Sequence, residues 1–316
     1  MPQYPYHICG LSIDSDIPLT ELSTNNGRRT PDYRFEAFTP GKAPSCRWLH
    51  HYSLSNTTPW LSMAVEGIGY HLRFNELAHF HVNKATKAIH CYPMPDIPLT
   101  TITHLFLDIV IPLVLSQQAS LVLHASAVSI SGKMIAFLGG TGQGKSTITT
   151  SLGQKGYPVV TDDCLVIEEE GNNFLGIPIY PSLRLWPEVV SALFDPTPRL
   201  PRVAHYTDKM RLGLREDLLR FSDLPRSLHR IYVLNRYPET EMTQDILIDT
   251  LSPRDAFMET VKHPYRLEID IRQILQKEFN VLGRLVNSID IRRIRYPRDY
   301  ALLPNVCEAI LEDLKK

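Results

Sequence analysis

One eight-residue stretch constrains this chain more than any other. Residues 139–146 read Gly-Gly-Thr-Gly-Gln-Gly-Lys-Ser, which fits G-x-x-x-x-G-K-[ST], the phosphate-binding loop pattern. The apolar run 134–138 precedes it as a short strand, and residues 147–152 follow it as a helix. Glycines let backbone N–H groups turn toward phosphate oxygens, and the helix N-terminus adds partial positive charge there. We therefore predict a strand, a phosphate-binding loop and a helix over residues 134–152.

The residue types in this loop predict its ligands. We expect nucleotide contacts from a set that spans the loop and the helix start: Gly140, Thr141, Gly142, Gln143, Gly144, Lys145, Ser146 and Thr147. Lys145 would reach the β- and γ-phosphates, and the Ser146 hydroxyl would ligate Mg²⁺. The expected cofactors are therefore ATP, or another nucleoside triphosphate, and Mg²⁺.

Length, charge and cysteine content indicate the domain number, the partners and the compartment to expect. The chain has 316 residues, enough for two domains, and a net charge of −1, so nucleic acid is not an expected partner. Its five cysteines form no C-x-x-C pair, which favours a reducing compartment. The N-terminus lacks a signal-peptide pattern, and the apolar run 109–115 is too short to span a bilayer. We expect a cytoplasmic protein with no membrane partner.

The first part of the chain differs in pattern from the rest. Residues 1–118 predict a β-rich N-terminal domain, because short alternating segments are separated by turn-forming residues. A linking helix is expected near 101–117, with Pro112 kinking its second half. Residues 119–316 are expected to form the catalytic domain around the phosphate-binding loop.

Two histidines of the N-terminal domain suggest a metal site. His79 and His81 lie on one face of a predicted strand and could hold a metal together with Glu76. This ligand set is incomplete, so a half-buried strand that carries two histidines is the favoured interpretation.

A predicted hairpin brings another histidine to the phosphate-binding loop. Residues 121–130 read as a strand, Ser131-Gly132 as a two-residue turn, and Lys133 opens the strand that enters the loop. A tight turn places Ile130 opposite Lys133 and His124 opposite Gly139. His124 is therefore a candidate catalytic residue, and a hydrogen-bonded structural histidine is the alternative.

Two adjacent carboxylates follow the next strand. Asp162 and Asp163 come directly after the apolar pair Val159-Val160 and Thr161, seventeen and eighteen residues after Lys145. A carboxylate at the carboxyl end of a strand beside the loop faces the metal and the γ-phosphate. One carboxylate could hold the metal while the other accepts a proton from an attacking hydroxyl. An acidic turn between two strands is the alternative.

Phosphoryl transfer also needs cations for the transferred group. Arg184 lies in the short apolar segment 179–187, and Lys209 and Arg211 follow a proline-rich stretch. We rank Arg184 first and Lys209 second; Lys209 and Arg211 are candidate phosphate or substrate contacts.

The stretch from His124 to Asp163 resembles the catalytic core of the bacterial HPr kinase/phosphorylase family. The shared features are a histidine strand, a hairpin, the glycine loop, one helix and an Asp-Asp pair. Four further segments, 123–128, 161–164, 181–186 and 296–299, resemble the HPr-kinase homologues encoded with lasso-peptide biosynthesis. In that subgroup the homologue phosphorylates a serine at the C-terminus of the precursor peptide.

This resemblance implies an α/β fold, an HPr-kinase-like P-loop core with a mixed sheet. It implies that Asp162 is the general base, that His124 assists it, and that Ser146 and Asp163 ligate Mg²⁺. Lys145 and Arg184 complete the catalytic set, a peptide is the substrate, and a homo-oligomer is compatible with the family. The L-E-[IV]-R-G segment of true HPr kinases has no match here, so the resemblance leaves a second metal carboxylate unassigned and does not extend to phosphorylase activity.

Two other functions fit the same motifs. A nucleotide-binding regulatory protein would sense ATP without efficient transfer, and a P-loop kinase could act on a small molecule. The Asp162-Asp163 pair with His124 favours catalysis, because a sensor needs no group placed to accept a proton.

Overall fold

The computed structural model describes residues 3–24, 30–39, 42–53, 59–118, 121–171, 173–213, 217–237, 243–266 and 272–316. The chain divides into two compact units. The first comprises Met1–Val114, Ala204–Tyr206 and Arg266–Ile271, and the second comprises Leu115–Val203, Thr207–Tyr265 and Arg272–Lys316. The boundary between the two units, after Val114, lies within the helix that was expected to link the two domains.

The first unit contains one eight-stranded mixed sheet. Its strands are β1 (Tyr4–Ile8), β2 (Leu11–Ser15), β3 (Tyr33–Glu36), β4 (His50–Tyr52), β5 (Leu61–Glu66), β6 (Gly69–Phe74), β7 (Ala78–Asn83) and β8 (Ala88–Pro93). The order is β1-β2-β3-β8-β7-β6-β5-β4. The pairs β2–β3 and β3–β8 are parallel, and the other neighbours are antiparallel. The predicted β-rich character of this region is confirmed.

The helix after this sheet is irregular in the middle. Helix α1 (Leu99–Leu105) passes through a π-helical turn, Phe106–Val110, into α2 (Ile111–Gln117). Pro112 has no N–H to donate to the residue four before it, and its ring would clash with that carbonyl, so a wider turn just before Pro112 relieves both problems. The span Leu99–Gln117 is long and apolar enough to cross a membrane, but 83% of its most apolar window is buried inside the protein. Because most of its apolar surface is covered by the rest of the protein, this span is a helix of the protein core.

The second unit is built on a nine-stranded mixed sheet. Its strands are β9 (Leu121–Leu123), β10 (Ala125–Ile130), β11 (Lys133–Leu138), β12 (Val159–Thr161), β13 (Leu165–Glu170), β14 (Asn173–Pro178), β17 (Arg226–Arg236), β18 (Leu247–Thr250) and β19 (Asp290–Tyr296). The order is β12-β10-β11-β17-β14-β13-β9, and β19 joins β17 and β18. Strands β11, β17 and β19 run parallel, while β10 and β12 are antiparallel neighbours. The predicted mixed sheet of an α/β fold is confirmed.

The predicted hairpin is confirmed, but the strand before it is divided. Strands β10 and β11 pair from Ile130↔Lys133 to Ala125↔Leu138, and Ser131 and Gly132 both have positive φ. The single strand expected over 121–130 is wrong, because it breaks at His124. The three residues before the break pair with β13 instead of β11. His124 donates its backbone N–H to the carbonyl of His263, so it lies just beyond the hairpin ladder.

Apolar side chains cover both faces of this sheet. Along β11, Met134 and Ala136 face a core shared with two helices, α5 (Pro253–Thr260) and α6 (Arg272–Ser288). Ile135 and Phe137 face a second core with α3 (Lys145–Gln154) and α7 (Leu303–Asp313). Such alternation is the pattern of a strand that is buried on both faces. The helix predicted after the glycine loop is α3.

A small two-stranded ribbon completes the second unit. Strands β15 (Ser182–Leu185) and β16 (Met210–Gly213) pair with Arg184 opposite Arg211. Helix α4 (Pro187–Leu193) packs its apolar side chains with those of the ribbon in a separate cluster that includes Val159 at the start of β12. The ribbon therefore lies close to the strand that precedes the two aspartates.

Burial along α6 gives a matched test of this fold. Leu282 is fully buried, whereas Leu275 on the same helix is 40% exposed. We expect Leu282→Ala to lower the free energy of unfolding by about 2–5 kcal/mol, because it opens a cavity in the core. Leu275→Ala should change it by about 0.5 kcal/mol or less. Urea titrations of both variants measure the difference, and equal losses would contradict the packing of α6.

Candidate active site

The glycine loop connects the end of β11 with the start of α3, and its conformation requires glycine. Gly142 and Gly144 have φ of 81° and 97°, in the left-handed region that side chains disfavour. A Cβ atom on Gly144 would lie 2.5 Å from the Tyr296 hydroxyl oxygen and 2.7 Å from a guanidinium nitrogen of Arg236. Tyr296 also donates its hydroxyl hydrogen to the Gln143 carbonyl, and these contacts hold the loop in one shape.

Lys145 is the first residue of α3, and its amine turns back over the loop. The Nζ atom donates to the carbonyl of Gly139 at 2.8 Å, and the residue is only 5% exposed. Burial lowers the pKa of Lys145, and the two nearby aspartates oppose that effect. The amine is therefore held at the point where backbone N–H groups and the α3 N-terminus also favour an anion.

Asp162 lies directly after β12 and is enclosed by hydrogen-bond donors. Its carboxylate accepts bonds from the hydroxyls of Ser126 and Ser146 and from the backbone N–H of Arg184, the last at 2.9 Å. Burial and the charge of Asp163 raise its pKa, and the charge of Arg184 and these donors oppose them. The carboxylate therefore binds a proton more readily than an exposed aspartate does.

Asp163 has different partners, and its pKa is displaced in the opposite direction. Its φ of 60° is left-handed, a conformation that few residues other than glycine adopt. Burial alone would raise its pKa, but Arg184, whose guanidinium lies 2.6 Å from the Asp163 carboxylate, and further cations hold the pKa well below its usual value. Asp163 is therefore ionised wherever the protein is folded at neutral pH.

The geometry also orients His124. Its Nδ1 lies 2.9 Å from the Asp163 carbonyl oxygen, so Nδ1 carries the hydrogen and donates it. The Nε2 atom lies 3.7 Å from the Asp163 carboxylate. Burial lowers the pKa of His124 to about 4, with Lys145 and Arg184 adding to that effect, so the ring is neutral at pH 7. A neutral ring with this tautomer presents an Nε2 lone pair toward the carboxylates.

The cations expected from the sequence differ in position. Arg184 is buried and reaches Asp163, while Lys209 lies 5.5 Å above the ring of Trp186. Arg211 is opposite Arg184 in the ribbon but does not line the cavity next to it. The structure thus brings Arg184 and Lys209 to the glycine loop and does not bring Arg211 to the same cavity.

Most of these groups line one cavity of about 180 Å³; Asp162 is not part of its lining. Five of its lining side chains are cationic and two are acidic, which gives the cavity a positive balance: Lys145, Arg184, Lys209, Arg236, Arg298, Asp163 and Glu188. His124, Thr141, Gly142, Gly144, Ser146 and Thr147 also line it. All of these except His124 belong to the set expected to contact nucleotide, and Gly140 of that set is not in the lining. Gln143 points elsewhere, because its Oε1 accepts a hydrogen bond from the backbone N–H of Arg236. A cavity of this composition suits a polyanionic ligand.

The sequence alone does not identify several residues of the site, among them Arg236 in the cavity lining and Ser126 beside Asp162. Arg236 ends β17, the parallel neighbour of β11, and the carboxyl ends of parallel strands meet at one edge. That rule alone could have indicated Arg236. Ser126 gives no such signal, because its contact with Asp162 depends on the position of β10 between β11 and β12. Trp186 and Arg298 were noted only within motifs, without a role.

Comparisons with known proteins add little to this site. No protein family matches the sequence, and no curated protein matches it. Among solved structures, the fold is similar to that of the Hpr(Ser) kinase/phosphatase from Coxiella burnetii, with a TM-score of 0.35 and 11% sequence identity. The match covers 61% of this chain and 92% of that chain. A similarity with this TM-score supports no conclusion about activity. What the site can do chemically therefore follows only from the residues that form it.

The Arg184–Asp163 pair yields a stability prediction. Both side chains are at most 14% exposed, so Arg184→Gln leaves a buried carboxylate without its cation and should cost about 3–5 kcal/mol at neutral pH. The cost should shrink as the pH falls below the usual aspartate value of 3.8, because the low pKa of Asp163 makes its stabilising effect disappear on protonation.

An exposed ion pair serves as the control for this prediction. Arg202 and Asp208 form a pair whose side chains are 62% and 67% exposed. Arg202→Gln should change the free energy of unfolding by about 1 kcal/mol or less at any pH. Chemical denaturation of both variants at pH 7 and pH 3.5 tests the pair, and equal costs for the two substitutions would show that Arg184 does not stabilise Asp163.

Proposed function

We propose that this protein is an ATP-dependent kinase that phosphorylates a hydroxyl group of a peptide. The observation that carries the proposal is the convergence of Lys145, Asp163, His124 and Arg184 on one cationic cavity beside the glycine loop, with Asp162 bonded to Ser146 of the same lining. A phosphate-binding protein without catalysis needs the loop and the cations. It does not need both a buried carboxylate of raised pKa, Asp162, and a neutral histidine, His124, held against the adjacent aspartate.

The residues fit a nucleoside triphosphate with Mg²⁺. A cradle that a side chain on Gly144 would fill, an inward lysine and the cations of the cavity suit phosphate oxygens. The Ser146 hydroxyl lies 2.9 Å from Asp162, and Asp163 is ionised next to them, so hard oxygen ligands for Mg²⁺ are close together. When bound, the metal would neutralise charge on the phosphates.

In the proposed reaction, the substrate hydroxyl oxygen bonds to the γ-phosphorus and the bond to the ADP oxygen breaks. The hydroxyl proton moves to Asp162, whose raised pKa suits a proton acceptor. His124 presents its Nε2 lone pair beside Asp163 and helps to orient the reacting groups. Lys145 and Arg184 stabilise negative charge on the transferred group.

The finer proposal is that the acceptor is the C-terminal serine of a lasso-type precursor peptide. It rests on the resemblance of segments 123–128, 161–164, 181–186 and 296–299 to the kinases of that biosynthesis. Its test is incubation with Mg-ATP and precursor peptides that end in serine, with the same peptides ending in alanine as controls. Mass spectrometry should detect a gain of one phosphate on the serine peptides only. ATP binding without transfer to any peptide would favour a sensor, and transfer to small hydroxyl compounds alone would favour a small-molecule kinase.

The two aspartates should differ in their dependence on Mg²⁺. We expect Asp162→Asn to lower kcat by about 10²-fold or more with an unchanged Mg²⁺ requirement, because it removes the proton acceptor. Asp163→Asn should raise the Mg²⁺ concentration needed for half-maximal rate, because it removes an ionised oxygen ligand. The contact between Ser146 and Asp162 favours the reverse division, so a shifted Mg²⁺ requirement in Asp162→Asn alone would exchange the two roles.

Asp208→Asn is the matched control for both variants. It replaces an exposed aspartate that pairs only with Arg202 among the contacts of the described residues, and it lies outside the cavity lining. Rate and Mg²⁺ requirement should both stay within about twofold of the unsubstituted protein, since surface substitutions of this kind have small effects.

A further inference from the structure

A cluster of metal-ligating side chains lies on the N-terminal sheet, away from the glycine loop in sequence. Strands β6 and β7 pair His71 with His81 and Arg73 with His79. The Nδ1 atom of His71 is 3.0 Å from the Nε2 atom of His79. A ligand atom of Cys46 joins them, and all three atoms lie within 4.8 Å of one another.

We propose that Cys46, His71 and His79 bind a zinc ion. The sequence pattern alone suggested His79 and His81 with Glu76, but Glu76 lies exposed in the turn after β6 with a φ of 58°. In the fold, Cys46 and His71 take the places of Glu76 and His81 beside His79. One thiolate and two imidazoles are a ligand set that zinc uses, with a fourth position left for water.

The separations between these atoms suit tetrahedral coordination. Zinc–nitrogen bonds of about 2.0–2.1 Å and tetrahedral angles place two ligand nitrogens about 3.3 Å apart. The His71 and His79 nitrogens need to separate by only a few tenths of an ångström from their 3.0 Å contact. Cys46 is partly exposed while His71 is fully buried, so the thiol side of the cluster offers an access route for the ion.

Glu66 supplies the feature that most favours a metal here. Its carboxylate oxygen lies 2.8 Å from Nε2 of His71, the ring atom opposite the one that faces His79. A hydrogen on Nε2 leaves the lone pair of Nδ1 directed at the cluster. Histidine ligands of zinc commonly donate their other N–H to a carboxylate in this way, which fixes the tautomer and raises ligand basicity.

Packing holds both rings in these positions. The ring of His81 stacks on His71 with centroids 4.3 Å apart, and the ring of Trp48 lies 5.4 Å from that of His79. The nearby guanidinium of Arg73 lies over Trp48 and opposes a cation, but the Cys46 thiolate and the Glu66 carboxylate together balance a divalent charge. The cluster is thus preorganised by apolar and stacking contacts rather than by the ion alone.

Two other arrangements use the same residues. Glu66, His71 and His81 also bring three ligand atoms within 4.8 Å of one another. Without any ion, His79 could donate its Nε2 hydrogen to Nδ1 of His71, which gives a hydrogen-bonded chain that ends at Glu66. A metal held by Glu66, His71 and His81 would require His81 and not Cys46, and the hydrogen-bonded chain would bind no metal. Substitutions therefore distinguish both arrangements from the proposed zinc site.

The experiment is a titration of the full chain with Zn²⁺ and with Co²⁺ as a spectroscopic probe. We expect one equivalent to bind and a thiolate-to-cobalt charge-transfer band to appear. Cys46→Ser should abolish the band and weaken binding, and His79→Gln should weaken it to a similar degree. Glu66→Gln should weaken binding by about 10–100-fold while the band remains, as for other carboxylates that orient a histidine ligand.

His81→Gln and His90→Gln are the matched controls. His90 lies on the next strand opposite His81 and contacts Glu36 instead of the cluster. His90→Gln should bind the ion as the unsubstituted protein does. His81→Gln should keep the charge-transfer band with at most a small loss of affinity, because it removes a stacking contact with His71 but no ligand atom. The proposal is overturned if the unsubstituted chain binds no ion, if Cys46→Ser keeps full affinity, or if His81→Gln abolishes binding. None of these outcomes depends on kinase activity, because the readout is metal binding alone.

Discussion

The burial of two adjacent carboxylates at the end of β12 is the constraint around which the second unit is arranged. Burying an ionised carboxylate is costly unless hydrogen bonds and opposite charges offset it. Asp162 is offset by donors from Ser126, Ser146 and the backbone of Arg184, and Asp163 by the guanidinium of Arg184. Strand β10 and helix α3 each contribute one of these groups and the ribbon contributes two, so all three elements are tied to the aspartates.

The same arrangement separates the proton affinities of two chemically identical neighbours. The Asp162 carboxylate accepts from two hydroxyls, whereas the Asp163 carboxylate pairs with a guanidinium. A pair of carboxylates with pKa values displaced in opposite directions can divide acid–base and ionic roles. This division depends on tertiary structure, and an Asp-Asp pair in the sequence indicates only that it is available.

Local patterns predicted the central part of the fold well. The glycine loop, the Ser131-Gly132 turn and the alternation of β11 each rely on a few neighbouring residues, and the hairpin register follows from the turn. The break at His124 was not predicted, because residues 121–130 have the pattern of one continuous strand and the change of partner comes from β13. Strand order brings Arg236 to the cavity and Ser126 to Asp162. His71 joins His79 through the register of β6 and β7, which no single-strand pattern contains.

The contact of Arg184 with both aspartates has a consequence for the ribbon formed by β15 and β16. Its backbone N–H binds Asp162 and its guanidinium binds Asp163, so one residue attaches the ribbon to two titrating groups. Thermodynamic linkage makes this attachment reciprocal: a proton on either carboxylate weakens the hold on the ribbon, and release of the ribbon raises the proton affinity of Asp163. Proton uptake by the aspartates and movement of the ribbon are therefore coupled: each changes the free energy of the other by the same amount.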